Sequence, residues 1–445
     1  MINTYSTKGP TGYNPSDMLR SFLLFLFVNP SMGLTKWADQ LKRVPLYAII
    51  SGFEPNNTPS VGAFYDFFNR LWLSDQDNTK KHIKYKKRKK SKKKKPKKGE
   101  KAPMKKPGRV KRLIDRALKY GTSKKKQDTD RLFELFQSQF LEVSASFGLL
   151  GNLNNFSISG DGTPVETCAY PRYKKLLDDK KYAAYNREKQ VFYQQPDIDS
   201  GWDSSRAKYY NGYDLYMLTA CDSHNDLPIY PKLNKASMHD SVGLLLNLNE
   251  FYHRFDITPI DKILLDSAHD AKAIYKLLDA HNVEPFIDLN KRTKFIFEGN
   301  SDITISDQGI PICSRGIEMK SNGFDYAKNR KKWRCGNAKG TTIDCPNPCS
   351  TAKYGRNFQT NPKDDLRIFT KTPRNSDKWN DIYKNRTSSE RTNKREKVDY
   401  HLEDGRHRST KMWYVRLYGI MMCQHIDAWH IHLKDTLDLQ ELIAI

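Results

Sequence analysis

A mixed α/β domain preceded by an all-helical region is what this 445-residue sequence predicts, on three observations. Apolar residues recur at helical spacing over residues 17–75. A Lys-rich stretch starting at Lys80 breaks that pattern. From Asn155 the texture changes to short alternating strands, followed by helix, buried strand, helix and strand. Antiparallel strands giving way to strand–helix alternation suit one mixed sheet with flanking helices. At 38% apolar and 12% aromatic content, the chain has material for two or three cores, which excludes a peptide or a wholly disordered protein.

In the first region, Val61, Phe64, Tyr65, Phe68, Leu71 and Trp72 form one apolar stripe, with Thr58 and Ser60 as capping candidates beside Pro59. A preceding helix runs from about Leu34 to Arg43 and stops before Pro45. Two helices around a turn-rich stretch read either as a DNA-reading helix-turn-helix or as plain core packing. The run FLLFLFV, Phe22 to Val28, is far shorter than the roughly 20 residues of a membrane helix, and neither a membrane span nor a signal peptide is expected.

The net charge is +25, from 76 Lys and Arg against 51 Asp and Glu. Residues 80–112 hold 20 Lys and Arg against the single acid Glu100, so this stretch alone carries +19 and the rest is near balance. Residues 80–127 therefore read as a flexible Lys-rich linker, giving sequence-independent phosphate contact or merely a solvated charge run. A helix follows at about Thr129–Phe147, carrying Leu132, Phe133, Phe136, Phe140 and Val143.

FSISGD, ending at Asp161 and Gly162, reads as the first strand, and residues 212–222 and 227–234 as the next two. A helix at about Asp240–Phe251 leads to KILLD, a strand ending on Asp266. A helical stretch, His269–Leu278, and a strand at 284–289 follow. Seven cysteines, an odd number in a long chain, argue for a reducing, cytoplasmic setting.

Asp161 and Asp266 stand at strand ends, where an acid is either a helix cap, a turn former or a catalytic group. The third element is YKNRTSSERTNKREK, in which Tyr383, Arg386, Glu390 and Lys397 are spaced Y-x2-R-x3-E-x6-K. On a continuous helix they fall within about 60° of one another, so one face presents an acid flanked by two cations and a phenol. The bland reading is an exposed face with Arg386 and Glu390 as an ordinary i, i+4 pair. Thr387 and Glu390 also fit a capping box, which would leave Tyr383 and Arg386 in the incoming loop.

Together, SGDGT around Asp161, residues 201–222, ASMHDS at 236–241, LLDSAHD around Asp266 and the YREK signature resemble DDE transposases of bacterial insertion sequences. The resemblance covers roughly residues 150–430 and extends to the N-terminal helices. It implies an RNase H-like catalytic domain with Asp161 on the first strand, Asp266 after the fourth and Glu390 on a later helix. It further implies that these three acids are catalytic and hold two Mg²⁺ ions, with Mn²⁺ able to substitute. Tyr383, Arg386 and Lys397 would bind DNA near the cleaved end. The implied partners are double-stranded DNA, as element ends and target, and a second copy of the chain, giving a homodimer on DNA. No membrane is involved, and the implied location is the cytoplasm of a prokaryote, associated with the nucleoid.

The 124 positions from Asp266 to Glu390 exceed what one strand and a connection need, and TKFIFEG, DITIS and RIFTKT suggest a β-rich insertion. Its Cys313, Cys335, Cys345 and Cys349 either hold a structural Zn²⁺ or remain separate thiols. His239 and His269 read as hydrogen-bonded structural residues. After Lys397, an apolar helix carries Trp413, Leu417 and Ile420.

The expected organisation is thus a helical DNA-binding region (1–79), the linker (80–127) and a connecting helix (128–152). The catalytic domain follows in two parts (153–290 and 376–445), around the insertion (291–375). The expected function is cleavage at terminal inverted repeats and joining of 3′-hydroxyl ends to target DNA. The rivals are a catalytically inactive transposase-derived DNA-binding protein and an RNase H-like structure-selective nuclease.

Overall fold

The computed structural model describes residues 12–73, 84–85, 107–169, 171–172, 191–193, 195, 197–290, 302–339, 342–374 and 376–436. The N-terminal region folds as four helices, α1 (Pro15–Val28), α2 (Leu34–Arg43), α3 (Pro45–Ser51) and α4 (Val61–Leu71). Pro45 ends α2 as expected, but it also opens α3, because proline suits the first turn of a helix. Ser60 caps α4, its hydroxyl accepting from the Ala63 N–H. Phe64, Phe68 and Leu71 are buried, whereas Tyr65 is exposed and Phe67 takes its place in the core.

These helices share one buried core with the rest of the chain. At Gly419 of the C-terminal helix (Thr410–Thr436) an added Cβ would come within 2.6 Å of the Phe22 ring, so the absence of a side chain there lets α1 lie close. The C-terminal helix buries Trp413, Leu417 and Ile420. Among the described residues, no helix is long and apolar enough to cross a membrane.

The linker expectation is corrected over Arg109–Tyr120, which forms α5. Val110, Ile114 and Ala117 recur at i, i+4 and i+7, an apolar strip that the surrounding cations mask in composition. Ile114 is 1% exposed, and α5 packs on the helices Asp240–Phe251 and Lys272–Ala280. Lys84–Tyr85 pairs antiparallel with Val191–Tyr193. Most of the Lys-rich run, residues 86–106, lies outside the described residues. The expected connecting helix is present as Asp130–Phe136 and Glu142–Ser146 around a π turn, Gln137–Leu141.

The central sheet is built from β1 (Ser157–Glu166), β2 (Asp199–Asp203), β3 (Lys208–Ala220), β4 (Pro228–Lys235), β5 (Lys262–Leu265) and β6 (Glu284–Ile287). β3 runs antiparallel between β1 on one side and β2 and β4 on the other. β5 and β6 add in parallel beyond β1. The path β4–β3–β1–β5–β6 is the expected RNase H-like mixed sheet.

The insertion is β-rich, with a hairpin of Ile303–Ile305 and Pro311–Cys313 and a three-stranded sheet of Lys320–Asp325, Arg330–Arg334 and Asn357–Thr360. Ile303, Met319 and Trp333 form its small core. TKFIFEG lies outside the described residues, and RIFTKT is not a strand. Its Arg367 turns instead to Asp270, donating from Nε and Nη2 to both carboxylate oxygens at 2.7 and 2.6 Å. Arg374 then bonds the Ile287 carbonyl and the Tyr275 hydroxyl, so side-chain pairing with the catalytic domain replaces a ladder here.

Candidate active site

The sheet register brings the two aspartates together. Asp161 lies within β1 opposite Met217, and not at a strand end as the sequence suggested. Ser159 of β1 is level with Leu264 of β5 in a parallel ladder. Two residues further along each chain stand Asp161 and Asp266, on neighbouring strands roughly 4.8 Å apart. Leu264 packs with Cys221, Phe286 and Trp379, and period-2 alternation sends Asp266 to that same face.

The glycines around Asp161 leave room on the opposite face. A Cβ on Gly160 would sit 3.0 Å from the Tyr216 hydroxyl, and one on Gly162 would sit 2.9 Å from Asp240 Oδ1 and 3.1 Å from Asp214 Oδ1. Sequence reasoning missed these two acids and Tyr216, because nothing in their spacing marks them. ASMHDS contained Asp240, but only the fold sets it beside Asp161.

The third acid arrives on an irregular helical run. An α-helix (Asp377–Tyr383) passes through a 3₁₀ turn (Lys384–Thr387) into the helix Ser388–Lys394, which ends in a π turn (Arg395–Asp399). Helical backbone therefore precedes Thr387, and the capping-box alternative is not realised. Ser388, Ser389, Thr392 and Asn393 are buried, and the helix packs on β1 and β3. Glu390 is half exposed and pairs with Arg386 at 2.7 Å.

The 3₁₀ and π turns change the simple angular projection. The Tyr383 hydroxyl donates to the Leu265 carbonyl, next to Asp266, at 3.2 Å. Lys397 Nζ donates to the Pro164 carbonyl at 2.8 Å and lies 3.6 Å from Glu403, at the far end of β1. Tyr383, Arg386 and Glu390 thus surround the two aspartates, while Lys397 reaches β1 three residues beyond Asp161.

Charge is crowded at this centre. Burial, then the neighbouring Asp266, Glu390 and Asp240, push the Asp161 carboxyl up to about 7, against a lowering influence from His269. Burial and the nearby Asp240 and Asp161 hold Asp214 well above the usual carboxylate range. Asp266 is the exception. Burial works to raise it, but the His269 hydrogen bond and charge, the Ala268 N–H and Arg386 together bring it below the usual value. His269 is 1% exposed, with Nε2 2.9 Å from the Tyr216 hydroxyl, and it is a hydrogen-bonded structural residue as expected.

The donor set suits a hard divalent cation, because it is made of carboxylate oxygens whose mutual repulsion added positive charge would relieve. Asp161, Asp266 and Glu390 are the side chains able to hold one. In the arrangement seen, His269 and Arg386 occupy oxygens of Asp266 and Glu390. No group of three or more His, Cys, Asp or Glu side chains is closed to metal-holding geometry among the described residues. The insertion cysteines are not disulfide-bonded, with Cys313 and Cys335 buried and Cys345 and Cys349 half-buried.

An RNase H-like sheet with acids on two adjacent parallel strands and a third on a following helix defines a phosphoryl-transfer class of protein. The family model described as "Transposase DDE domain" matches residues 158–424, more than half of the chain, and the chain belongs to this family. No curated protein matches it.

Proposed function

We infer that this transposase is an insertion-sequence enzyme that binds terminal inverted repeats, cuts DNA at the element ends and joins the freed 3′-hydroxyls to target DNA. The observation that carries this reading is the level placement of Asp161 and Asp266 beneath the Glu390 helix. The helical region Pro15–Leu71 is assigned to repeat binding, and two copies of the chain pair the two ends. The enzyme works in the prokaryotic cytoplasm on the nucleoid.

Asp161, Asp266 and Glu390 would hold two Mg²⁺ ions, or Mn²⁺ in their place. When bound, these supply Lewis acidity to the attacking and leaving oxygens of an in-line displacement. In the first step a water oxygen forms a bond to phosphorus while the bond to the 3′-oxygen breaks, and that oxygen takes up a proton. In the second the 3′-hydroxyl loses its proton, bonds to a target phosphorus and displaces a target 3′-oxygen, which takes up a proton. One phosphodiester is exchanged for another, so no ATP is needed.

The chain's own residues position these events. His269 fixes one Asp266 oxygen, and Tyr216 fixes His269. Arg386 turns from Glu390 toward a substrate phosphate oxygen by charge-assisted hydrogen bonding, aided by Tyr383. Lys397 steadies the end of β1 and, once released from Glu403, adds a second cation for the DNA strand.

The test is the product formed from a labelled duplex carrying the end of the DNA that flanks the gene, with supercoiled target and Mg²⁺. Joined strands support the transposase reading. Nicks without joining favour a structure-selective nuclease. Intact DNA in both Mg²⁺ and Mn²⁺, despite binding, favours an inactive DNA-binding descendant.

A further inference from the structure

Helix α5 lies inside the cationic stretch, yet it is docked. Ile114 is buried beneath it, the Thr122 hydroxyl is 3.0 Å from His253 Nε2, and Arg254 Nη2 donates to the Lys125 carbonyl at 2.6 Å. Both the helix and the segment that follows are therefore held to the catalytic domain, where the sequence alone suggested only a flexible tether.

The helix is also directional. Opposite the strip of Val110, Ile114 and Ala117, the cations Arg109, Arg112, Arg116 and Lys119 recur at i, i+3, i+7 and i+10, and all four are exposed. At roughly 100° per residue they span about 80° of the surface, a single stripe pointing away from the docked face. Lys111 is neutralised by Asp115 at 2.6 Å, outside that stripe. Among the described residues, no acid pairs with Arg112, Arg116 or Lys119.

One end of the stripe lies beside the segment that leads to Asp240. Arg109 Nη1 reaches Met238 Sδ at 4.0 Å, and two residues on is Asp240, beside Gly162 and in electrostatic contact with Asp161. From Arg109 to Lys119 the helix rises about 15 Å. One strand of a duplex carries a phosphate about every 3.4 Å of axis, so this length faces about four successive phosphates.

We propose that the Arg109–Arg112–Arg116–Lys119 stripe is a fixed phosphate rail that guides duplex DNA outward from the Asp161 centre. The proposal rests on the function inferred above and adds the surface that the DNA follows. The rail is assigned to phosphates and not to base edges, so it acts alike on any sequence. It contributes affinity, salt dependence and direction of approach.

The experiment uses the full-length protein and the cleavable end duplex, with a duplex of unrelated sequence beside it. For Arg112→Ala/Arg116→Ala/Lys119→Ala, the slope of log affinity against log salt should fall by about 3, roughly 0.9 per lost cation, equally on both duplexes. Arg112→Lys/Arg116→Lys should keep the wild-type slope. Unchanged thermal unfolding of both variants shows that the fold is intact. A photo-crosslinker at position 109 should mark DNA close to the cleaved phosphate, and one at 119 should mark it about four nucleotides further out.

An unchanged slope in the triple variant, or crosslinks from 109 and 119 at the same nucleotides, would overturn the rail. Absence of cleavage by the wild-type protein would instead count against the transposition reading. The salt slope reads the rail independently of cleavage.

Discussion

His269 Nδ1 stands 2.5 Å from Asp266 Oδ1, three residues along the chain, and its other ring nitrogen is 2.9 Å from the buried Tyr216 hydroxyl. Asp266 is thus aimed from the core. His269→Ala should lower the cleavage rate by about 10- to 100-fold and raise the Mg²⁺ concentration needed for half-maximal rate, with DNA affinity unchanged. A Mg²⁺ titration of cleavage checks this, and Tyr216→Phe should move the same midpoint less.

The pairing of β1 with β3 depends on a glycine. A Cβ on Gly212 would lie 2.0 Å from the Val165 carbonyl oxygen, a backbone atom that cannot rotate aside. Gly212→Ala should cost about 3 kcal/mol, because the strand bearing Asp161 must shift to admit it. Denaturant unfolding measures the loss. Gly148→Ala is a useful contrast: its Cβ meets nothing within 4 Å, and only its positive φ of 72° opposes the change.

Arg367 and Asp270 tie the insertion to the segment just after Asp266. Both side chains are at most 2% exposed, and removing one partner strands the other's charge in the interior. Arg367→Met should destabilise the protein by about 3–5 kcal/mol, while Arg367→Met with Asp270→Leu should recover much of the loss. A double-mutant cycle in urea reads both.

His425 is fully buried between the Ser144 hydroxyl and the Pro228 carbonyl, and burial pushes its pKa from 6.5 down to about 4. Above pH 6.5 the ring is neutral in both folded and unfolded chains and stability is full. As pH falls from 6.5 through about 4 the unfolded chain binds the proton first, so stability is lost, on the order of 3 kcal/mol. Urea unfolding across this window should show a shallower decline for His425→Asn than for wild type.

Much of the fold was legible because its elements obey simple periods. The helices Leu34–Arg43 and Asp240–Phe251 carry clear apolar patterns and begin and end where the sequence indicated. Asp161, Asp266 and Glu390 were visible as motifs, and their convergence was implied only by the family resemblance: it depends on the β1–β5 register, a pairing across about a hundred residues. Helix α5 was hidden because its apolar residues, Val110, Leu113, Ile114, Ala117 and Leu118, directly follow a Lys-rich run that dominates the local composition. RIFTKT has the alternation of a strand, yet the buried Arg367–Asp270 pair outweighs that local preference. Asp214 and Asp240 lay inside segments that carried the resemblance but were not singled out, since a lone acid gains its meaning only from what the fold sets against it.

The central claim is that three carboxylates, brought together from β1, the end of β5 and the Ser388–Lys394 helix, form a single catalytic centre. The most direct measurement compares Asp161→Ala, Asp266→Ala and Glu390→Ala with wild type for cleavage and joining of the end duplex in Mg²⁺, with binding measured in parallel. The account predicts that each substitution abolishes both reactions while DNA binding is largely kept. Joining at the wild-type rate by any one of the three would contradict it.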